Sequence, residues 1–439
     1  MLDIKSIRAN AEKLKETIKL KKLSLDLDRL LEFDGKRSVL QKELMDLQQE
    51  RNANAEKMKA AGGKPDDAAI AEGKRLKENI ATKESEMESI EKEFHALMVL
   101  VPTIQAPDTP IGKDDSENVE VEKWGEIRRF NFPIKDHIEL GKALDILDIE
   151  RGTKVAGFRG YYLKNEGAQL VMAAMMHAMS KLVAKGFTLM IPPTLIKGQA
   201  MYGSGYFKNG EYDEKVDNIY RLANRDEEMD GKPSSEQKFL VGTAEPSLLA
   251  YYSDEVVDLK NGPIKMAGFS QCYRSEIGDY GRDTKGIYRV HEFFKVEQVV
   301  IAEASIEATD AIQQEMLEIS KELHRELGLP YRLLRMCTGD LGTGKYKQFD
   351  MEAWIPSRDG YGETGSASNF LDWQARRLNV KYVDAEGNRK VAYMLNNTAL
   401  ASARTLIAIL ENHQQADGSV IIPEVLRPYM GGKERIRRE

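Results

Sequence analysis

Two long stretches of heptad-spaced residues, separated by a short segment of glycine, lysine and proline, constrain the N-terminal part of this chain. The first seam has a 3-4-3-4 spacing, apolar at first and more polar toward its end: Leu30, Phe33, Arg37, Leu40, Leu44, Leu47, Arg51, Asn54 and Met58. The second seam consists of Leu76, Ile80, Lys83, Met87, Ile90, Phe94 and Leu97. Residues 62–65, Gly-Gly-Lys-Pro, break the helix between them. Residues 26–100 are therefore predicted to form an antiparallel hairpin of two helices.

The distal part of this hairpin is basic, although the whole chain carries a net charge of −7. The overall acidity argues against a protein that coats nucleic acid non-specifically, and we expect no DNA binding. Between Arg51 and Lys77, seven basic and four acidic side chains give a local charge of +3. Cations at the far end suit RNA phosphates, and the candidates are Arg51, Lys57, Lys74, Arg75 and Lys77. A structural hairpin, or one that binds a protein partner, would show the same seam.

A proline-rich linker divides the chain. With 439 residues we expect two or three domains, and Pro102, Pro107 and Pro110 interrupt any helix in the linker-like segment 101–125. The boundary is placed near residue 105, which gives an N-terminal helical domain at 1–105 and a second domain at 106–439.

Several patterns bear on the compartment. The sequence has no apolar run of about 18 residues and no apolar signal region at its N-terminus, so we expect a soluble, cytoplasmic protein without membrane contact. Two cysteines, Cys272 and Cys337, make no disulfide framework and fit a reducing compartment. The six histidines are scattered, and no Cys/His spacing resembles a zinc site.

Beyond the linker, helical and strand-like segments are mixed. Helical spacing occurs at 168–185, at about 305–328 and at about 398–413. Alternating or short apolar runs at 264–274, 290–302, 348–355 and 391–396 predict strands. This order predicts an α+β domain with an antiparallel β-sheet flanked by helices.

A predicted hairpin carries the first group of chemically informative residues. Arg274 and Glu276 share a face if the first strand continues through them. The return strand is predicted to begin near Val290, and Phe293, Lys295 and Glu297 share one face of it. A glycine-punctuated loop with Gly278, Gly281, Arg282, Asp283, Lys285 and Gly286 connects them. Arginine binds phosphate and carboxylate through its rigid fork of donors, and phenylalanine offers a stacking plane for a base. A solvated hairpin with surface ion pairs is the alternative.

Arg404 lies in a strongly apolar segment, four residues after Leu400 and three before Ile407. A buried arginine without a partner is very costly. Its partner is therefore either an internal carboxylate or an anionic ligand, and the sequence leaves both open.

The segment 362–366 contains an acid and a hydroxyl three residues apart, Glu363 and Ser366. Oxygen donors of this kind hold Mg²⁺ on a nucleotide. A polar turn would have the same composition.

Together, these residues resemble the class II aminoacyl-tRNA synthetases. Motif 2 is resembled by residues 274–276, the glycine loop and residues 289–293. Motif 1, the dimer-interface element, is resembled by residues 185–193. Motif 3 is resembled by residues 400–406 around Arg404. The seryl-tRNA synthetase family is indicated by Thr243-Ala244-Glu245, Lys295-Val296-Glu297, the block 368–377, the ending 420–429 and the helical arm. The resemblance covers essentially the whole chain.

The resemblance implies roles for individual residues. Arg274, Glu297 and Arg404 would be catalytic, and the serine pocket would consist of Thr243, Ala244, Glu245, Arg274, Glu297 and Thr398. ATP would contact Arg274, Ser275, Glu276, Val290, His291, Glu292, Phe293, Glu363, Thr364, Gly365, Ser366 and Arg404. Within this set Arg274 would hold the α-phosphate and the serine carboxylate, Glu276 would meet the adenine, Phe293 would stack on it and Arg404 would grip the γ-phosphate. Glu363 and Ser366 would take Mg²⁺.

Two positions depart from the family pattern. Gly365 stands where the family usually has serine, so one hydroxyl near the ATP site is missing, and Thr398 replaces a frequent serine.

The implied activity is that of a serine–tRNA ligase in protein synthesis. It would form seryl-adenylate from L-serine and ATP, then transfer serine to tRNA(Ser); selenocysteine tRNA is a further candidate. A homodimer is implied, whose arm reaches tRNA held mainly by the other subunit. The serine carboxylate is itself the nucleophile, so the first step needs positioning and charge neutralisation rather than a general base.

Two other functions compete with this one. A class II relative could charge a carrier protein, but the long basic arm argues against it. A catalytically inactive paralogue could serve as an RNA-binding or dimerisation subunit, but the joint presence of Arg274, Glu297, Glu363 and Arg404 argues against that.

Overall fold

Two long antiparallel helices dominate the N-terminal unit of the chain. The computed structural model describes residues 3–60, 66–277 and 285–438, and the chain divides into two units, Met1–Val101 and Pro102–Glu439. The first contains α1 (Ile4–Ala9), α2 (Ala11–Leu20), α3 (Leu27–Ala60) and α4 (Asp67–Val99). The predicted coiled-coil hairpin is confirmed as α3 and α4. The Gly-Gly-Lys-Pro turn predicted at 62–65 lies outside the described residues.

Contacts between α3 and α4 establish the antiparallel register. Ion pairs join Arg29 to Glu93 at 2.9 Å and Glu43 to Lys83 at 2.8 Å, and Asn54 Nδ2 donates to the Ala69 carbonyl at 3.0 Å. The predicted seam buries Leu30, Leu40, Leu76, Ile80 and Phe94. Near the end of α4, Met98 is buried, whereas the seam residue Leu97 is only half-buried. The short helices α1 and α2, which the heptad analysis did not predict, bury Ile7 and Leu14.

The second unit is built on an eight-stranded sheet with the strand order β1-β11-β12-β13-β16-β10-β9-β4. All neighbours are antiparallel except β4 and β9. The strands of this unit are β1 (Val119–Trp124), β2 (Leu147–Asp148), β3 (Tyr162–Leu163), β4 (Thr188–Met190), β5 (Leu195–Lys197), β6 (Tyr220–Arg221), β7 (Lys238–Leu240), β8 (Val256–Val257), β9 (Ile264–Tyr273), β10 (Glu292–Ala302), β11 (Tyr331–Arg335), β12 (Lys347–Ile355), β13 (Gly360–Leu371), β14 (Lys381–Val383), β15 (Arg389–Val391), β16 (Tyr393–Ala401), β17 (Val420–Ile421) and β18 (Arg435–Ile436). The α+β prediction is confirmed.

Helices flank this sheet. They are α5 (His137–Ala143), α6 (Ile149–Ala156), α7 (Asn165–Ala184), α8 (Gly198–Ser204), α9 (Glu245–Ala250), α10 (Ile306–Glu326), α11 (Trp373–Arg377) and α12 (Ser402–Asn412). The largest apolar core joins α7, α10 and α12 to alternate residues of β10 such as Val296 and Val300. Val299 and Ile301 belong to a second core with α9. Among the described residues, none of the helices has both the length and the apolar character needed to cross a bilayer.

Some sequence-derived boundaries were wrong. The helix predicted at about 398–413 begins at Ser402, because residues 393–401 form the central strand β16. This strand is buried on both faces and therefore lacks the alternation that identifies a strand. Arg274 and Glu276 lie just beyond the end of β9 rather than on it, and Glu276 has a positive φ of 53°. The return strand begins at Glu292 rather than near Val290.

Candidate active site

A cavity of about 510 Å³ opens where β9, β10, β13 and β16 meet the start of α12. Its lining is Arg274, Glu276, Tyr288, Arg289, Val290, Phe293, Lys295, Glu363, Thr364, Gly365, Thr398, Ala401, Ala403 and Arg404. Nine of the residues assigned to the substrates from sequence line this cavity, although they are widely separated along the chain. Antiparallel pairing brings β10, β13 and β16 side by side, which gathers residues more than 100 positions apart.

Arg274 and Phe293 form one wall of the cavity. The Arg274 guanidinium lies 5.4 Å from the Phe293 ring centroid, and its Nε donates to the Gly242 carbonyl at 3.4 Å. His291 supports this wall from behind, because its Nδ1 lies 2.9 Å from the Arg274 carbonyl oxygen. A cation and an aromatic plane side by side match a phosphate next to a purine.

Arg404 and Glu363 form the opposite wall. Arg404 Nη1 contacts Glu363 Oε2 at 3.0 Å and donates to the Glu363 carbonyl at 2.9 Å, while its guanidinium lies 4.5 Å from the Tyr288 ring centroid. Burial opposes ionisation of Glu363, but Arg404 and then Arg274 lower the pKa of this carboxyl below its ordinary value. Arg404 therefore has an internal carboxylate as its partner, and both groups face the cavity.

A β-bulge explains why Glu363 and Ser366 share a face despite their odd spacing. Asp350 and Glu352 lie two residues apart on β12, so their side chains point to the same face. Asp350 pairs with Ser366 and Glu352 pairs with Glu363, which leaves Thr364 as the extra residue on β13. The segment 362–366 is thus part of a strand rather than a polar turn. Burial, together with the charge of Glu363, raises the pKa of Asp350 to about 7.

The side chain of Thr364 points away from this face. Its hydroxyl lies 2.9 Å from His324 Nε2 and 3.3 Å from the Met351 carbonyl oxygen. His324 Nδ1 lies 2.8 Å from the Ser320 carbonyl, so this nitrogen carries the ring proton and Nε2 accepts from Thr364. Burial lowers the pKa of His324 to about 4, which keeps the ring neutral. A hydroxyl contact from Thr364 to ATP is therefore not available in this arrangement.

The residues assigned to serine cluster around Lys295. Lys295 Nζ contacts Glu297 at 2.6 Å and Thr243 Oγ1 at 3.1 Å, and all three side chains are buried. Glu245 accepts from Gln374 Nε2 at 2.6 Å. Burial, and then the charge of Glu297, raises the pKa of Glu245 to about 7, although the Gln374 hydrogen bond acts in the opposite direction.

Two further members of this set have simpler surroundings. Ala244 is fully buried at the start of α9, where its carbonyl accepts from Leu248 N at 3.0 Å. Thr398 is buried on β16 and faces Gly365, where an added Cβ would lie 3.3 Å from the Thr398 Cβ. The same added Cβ would lie 3.7 Å from the Thr398 methyl carbon, an ordinary van der Waals distance.

Several sequence-derived candidates do not line the cavity. Ser275 donates to Asn218 Oδ1 at 3.2 Å, Ser366 accepts from Gln348 Nε2 at 3.0 Å, and the exposed Glu292 contacts Gln271. The glycine-loop residues Gly278, Gly281, Arg282 and Asp283 lie outside the described residues. At its end, Gly286 packs against His137: a Cβ there would lie 1.9 Å from His137 Nε2.

Sequence reasoning missed several residues that shape the site. Tyr288 stacks on Arg404, Gln374 binds Glu245, and Arg159 and Asn218 hold Glu276. Gln374 lies in the block 368–377 that indicated the family, but it had no predicted role. The other three residues lie on loops without a periodic pattern, so only their proximity in the fold could have identified them.

On the arm, all five basic candidates are exposed: Arg51, Lys57, Lys74, Arg75 and Lys77. Arg75 pairs with Glu72 on its own helix at 2.6 Å, and Lys74 lies 4.0 Å from Glu78. Such exposed intrahelical pairs are weak, so these cations remain accessible to an anionic partner.

Two family models match the chain. Residues 1–105 match the seryl-tRNA synthetase N-terminal domain, and residues 226–413 match the tRNA synthetase class II core domain (G, H, P, S and T).

Relatives are similar over nearly the full length. The serine–tRNA ligase of Treponema denticola is 41% identical over 98% of this chain and 99% of its own, and that of Borreliella afzelii is 42% identical over 98% of each. The crystal structure of Pyrococcus horikoshii seryl-tRNA synthetase complexed with ATP superimposes with a TM-score of 0.87 at 35% identity and covers 100% of both chains. The cytoplasmic serine–tRNA ligase of Naegleria fowleri in complex with AMP gives 0.83 at 28% identity, covering 98% of this chain and 96% of its own.

Proposed function

Because this chain belongs to the seryl-tRNA synthetase family, it is a class II ligase that joins serine to tRNA with ATP, and we propose which residues carry each part of the reaction. The observation that supports these assignments is the single cavity in which Arg274, Phe293, Glu363 and Arg404 converge beside the Lys295–Glu297 cluster.

For activation, the cavity positions a nucleotide between two cationic walls. Arg274 holds the α-phosphate and the serine carboxylate, Phe293 stacks on the adenine and Arg404 grips the γ-phosphate. The attacking carboxylate needs no base, so rate enhancement comes from alignment and from fixed positive charge at the reacting phosphorus.

For serine recognition, Glu245 and Glu297 accept from the ammonium and hydroxyl groups of the substrate, with Thr243 and Thr398 completing the pocket. The Lys295–Glu297 pair and the Gln374–Glu245 hydrogen bond fix the two carboxylates. A site built to hydrogen-bond a hydroxyl rejects an analogue lacking it, because its buried polar groups would be left unpaired.

Mg²⁺ fits the donors on β13. The bulge at Thr364 aligns the oxygen donors of Glu363 and Ser366, and the Asp350 carboxyl is close by. The described residues contain no cluster of three or more His, Cys, Asp or Glu side chains that could hold a metal alone. This fits Mg²⁺, which is usually bound through one or two carboxylates together with substrate phosphates. When bound, it would neutralise charge on the phosphates that Arg404 also contacts.

The arm is proposed to recognise tRNA(Ser), with residues 1–105 as the tRNA-binding domain and 106–439 as the catalytic domain. Arg51, Lys57, Lys74, Arg75 and Lys77 would contact its phosphates. Selenocysteine tRNA is a further substrate candidate under the same assignment.

The Naegleria relative is described as cytoplasmic, and we propose the same compartment here.

A homodimer is proposed from the surface around β4. This strand lies at an edge of the main sheet, and apolar side chains on β4, directly after it, at the start of β5 and on α7 are exposed: Met172, Met176, Val183, Leu189, Ile191 and Leu195. Ile191 is 81% exposed. An unpaired edge beside apolar side chains favours pairing with a second copy.

Serine-dependent exchange of pyrophosphate into ATP tests the assignment of the pocket. We expect exchange that requires Mg²⁺ and serine but no tRNA, with threonine, alanine and glycine much poorer. Glu297→Gln should lower exchange by roughly 100-fold or more, since it removes a charge-assisted contact to the substrate. Glu303→Gln, at an exposed carboxylate just beyond β10, is the matched control and should be neutral. Better exchange with threonine, alanine or glycine than with serine would refute the proposed specificity.

A further inference from the structure

The carboxylate of Glu276 is held by an arginine from a distant part of the chain. Arg159 Nη1 lies 3.3 Å from Glu276 Oε2, and the two side chains are 4% and 7% exposed. Arg289 Nη1 contacts the same oxygen at 3.2 Å. In both of these contacts the carboxylate oxygen is Oε2, and Glu276 lines the cavity.

The loop that carries Arg159 is tightly packed. Arg159 has a φ of 67°, a left-handed conformation that is unfavourable for a residue with a side chain. Directly after it, the backbone is in close contact with α6: a Cβ at Gly152 would lie 2.3 Å from Tyr161 Cα, and one at Gly160 would lie 2.6 Å from the Gly152 carbonyl oxygen. This packing fixes the backbone position of Arg159, and with it the position of its Cα–Cβ bond.

The turn that carries Glu276 is also bound from a second direction. Asn218 Oδ1 accepts from Ser275 Oγ at 3.2 Å and from the Glu276 backbone N–H. Glu276 itself has a φ of 53°, so its backbone conformation needs such support. Asn218 thus fixes the backbone of Glu276, while Arg159 and Arg289 fix its carboxylate.

We infer that Arg159 is a positioning residue for nucleotide selection: it orients the Glu276 carboxylate so that Oε1 accepts from the exocyclic amino group of adenine. The inference rests on the proposed contact between Glu276 and adenine. An acceptor that is already fixed loses no side-chain freedom when the base binds, so the contact favours adenine more strongly.

A purely structural ion pair between Arg159 and Glu276 makes a different prediction. Loss of such a pair would weaken the pocket for every nucleotide. Loss of an orienting contact would weaken only nucleotides that carry the 6-amino group.

The experiment compares ATP with purine riboside triphosphate, which lacks the 6-amino group. KM and kcat for both are measured by serine-dependent pyrophosphate exchange, and nucleotide affinity by calorimetry, on the full-length protein. The variants are Arg159→Met, which keeps length without charge, Arg159→Lys, which restores the charge, and Glu276→Gln. Arg151→Met, at an exposed arginine on α6, is the matched control.

We expect Arg159→Met to raise the KM for ATP by about 10- to 100-fold and to change kcat little. A change of this size corresponds to the loss of one hydrogen bond to a charged group. The KM for purine riboside triphosphate should stay within about twofold of wild type, so that the preference for ATP collapses. Arg159→Lys should restore part of the preference, and Arg151→Met should leave it intact. If Arg159→Met folds poorly, Arg159→Lys alone carries the comparison, with a smaller loss of preference expected.

Three results would overturn the inference. Equal losses for both nucleotides would make the ion pair structural. An unchanged preference in the Arg159 variants, with a collapse in Glu276→Gln, would refute the inference while leaving the role of Glu276 in place. An unchanged preference in Glu276→Gln would refute the adenine contact itself, and with it this inference.

Discussion

At the scale of single residues, two oppositely charged side chains of the cavity form an ion pair that bound substrates would break. Arg404 contacts Glu363 at 3.0 Å, although we propose that one binds phosphate and the other Mg²⁺. From the sequence, the partner of Arg404 could be either an internal carboxylate or an anionic ligand. The two are compatible, because Glu363 is 44% exposed and can exchange its partner when a nucleotide enters.

Arg404→Ala separates a catalytic role from a structural one. Loss of a partly exposed pair should destabilise the apo protein by only about 1–2 kcal/mol, whereas a fully buried pair would cost about 3–5 kcal/mol. ATP use should fall by roughly 100-fold or more. Melting temperature without ligands and exchange kinetics are measured on the same preparation. Arg358→Ala, which removes another guanidinium from the Tyr288 ring, is the control and should retain ATP use. A large loss of melting temperature with normal activity in the folded fraction would contradict the catalytic role.

The raised pKa of Glu245 predicts how stability depends on pH. Its ordinary value is 4.5, and in the folded protein burial raises it to about 7. Between these values the folded state holds a proton that the unfolded state has lost, so wild-type stability falls as pH rises through this window, and the loss is complete above it.

Glu245→Gln removes this ionisation and should abolish that part of the pH dependence. Relative to wild type, the variant should gain about 1–3 kcal/mol between pH 4.5 and about pH 8, as measured by urea unfolding. Glu255→Gln changes an exposed carboxylate and serves as the control. A stability difference between variant and wild type that does not vary with pH would show that Glu245 ionises normally.

At the scale of secondary-structure elements, periodicity predicted some parts of the fold well and failed at others. The heptad seams specified α3 and α4, because a repeat sustained over many turns has few alternative explanations. Strand β16 was mistaken in part for helix, because a strand buried on both faces has no alternation. Spacing alone could not show that Glu363 and Ser366 share a face, since their alignment depends on a bulge at Thr364.

The His324–Thr364 hydrogen bond is expected to stabilise this bulge. Thr364→Val keeps the shape but leaves His324 Nε2 without its donor, which should cost about 1–3 kcal/mol of stability. The Mg²⁺ concentration for half-maximal exchange should rise several-fold, while the KM for serine stays near wild type. Thr309→Val removes another buried hydroxyl, at the start of α10, and should lower stability without changing the Mg²⁺ dependence. Equal Mg²⁺ dependence in both variants would disprove the role of the bulge.

At the scale of the whole molecule, the proposed division of labour places activation in the second unit and tRNA recognition on the arm. The described helices of the arm have 34 and 33 residues, so each extends about 50 Å at 1.5 Å per residue. A hairpin of this length with exposed cations toward its far end can bind RNA over a long distance.

Mixed dimers test whether the arm acts on tRNA held by the other subunit. A dimer of one armless subunit and one Arg274→Ala subunit has its arm and its live site on different chains, and it should aminoacylate tRNA. The matched control places both changes on one subunit beside an intact one, and should be inactive under strictly crossed recognition. The reverse pattern would place the arm and its active site on the same chain.

The electrostatic part of arm recognition has its own test. Neutralising Arg51, Lys57, Lys74, Arg75 and Lys77 should weaken tRNA binding and reduce the slope of log affinity against log salt by about 0.7–0.9 for each phosphate that the variant no longer neutralises. Neutralising Lys36, Lys42 and Lys92, nearer the base of the hairpin, is the control and should leave the slope nearly unchanged. An unaltered slope in the first variant would rule out these five cations as phosphate ligands.

The most direct measurement compares both half-reactions in an enzyme with a shortened arm. Replacing residues 48–78 with a short glycine-rich turn removes the basic end but retains the Glu43–Lys83 and Arg29–Glu93 pairs, and with them the packing of α1 and α2. We predict serine-dependent pyrophosphate exchange within about twofold of the full-length enzyme and a fall in tRNA aminoacylation of roughly 100-fold or more. Aminoacylation at the full-length rate, or loss of both half-reactions together in a folded protein, would contradict the account.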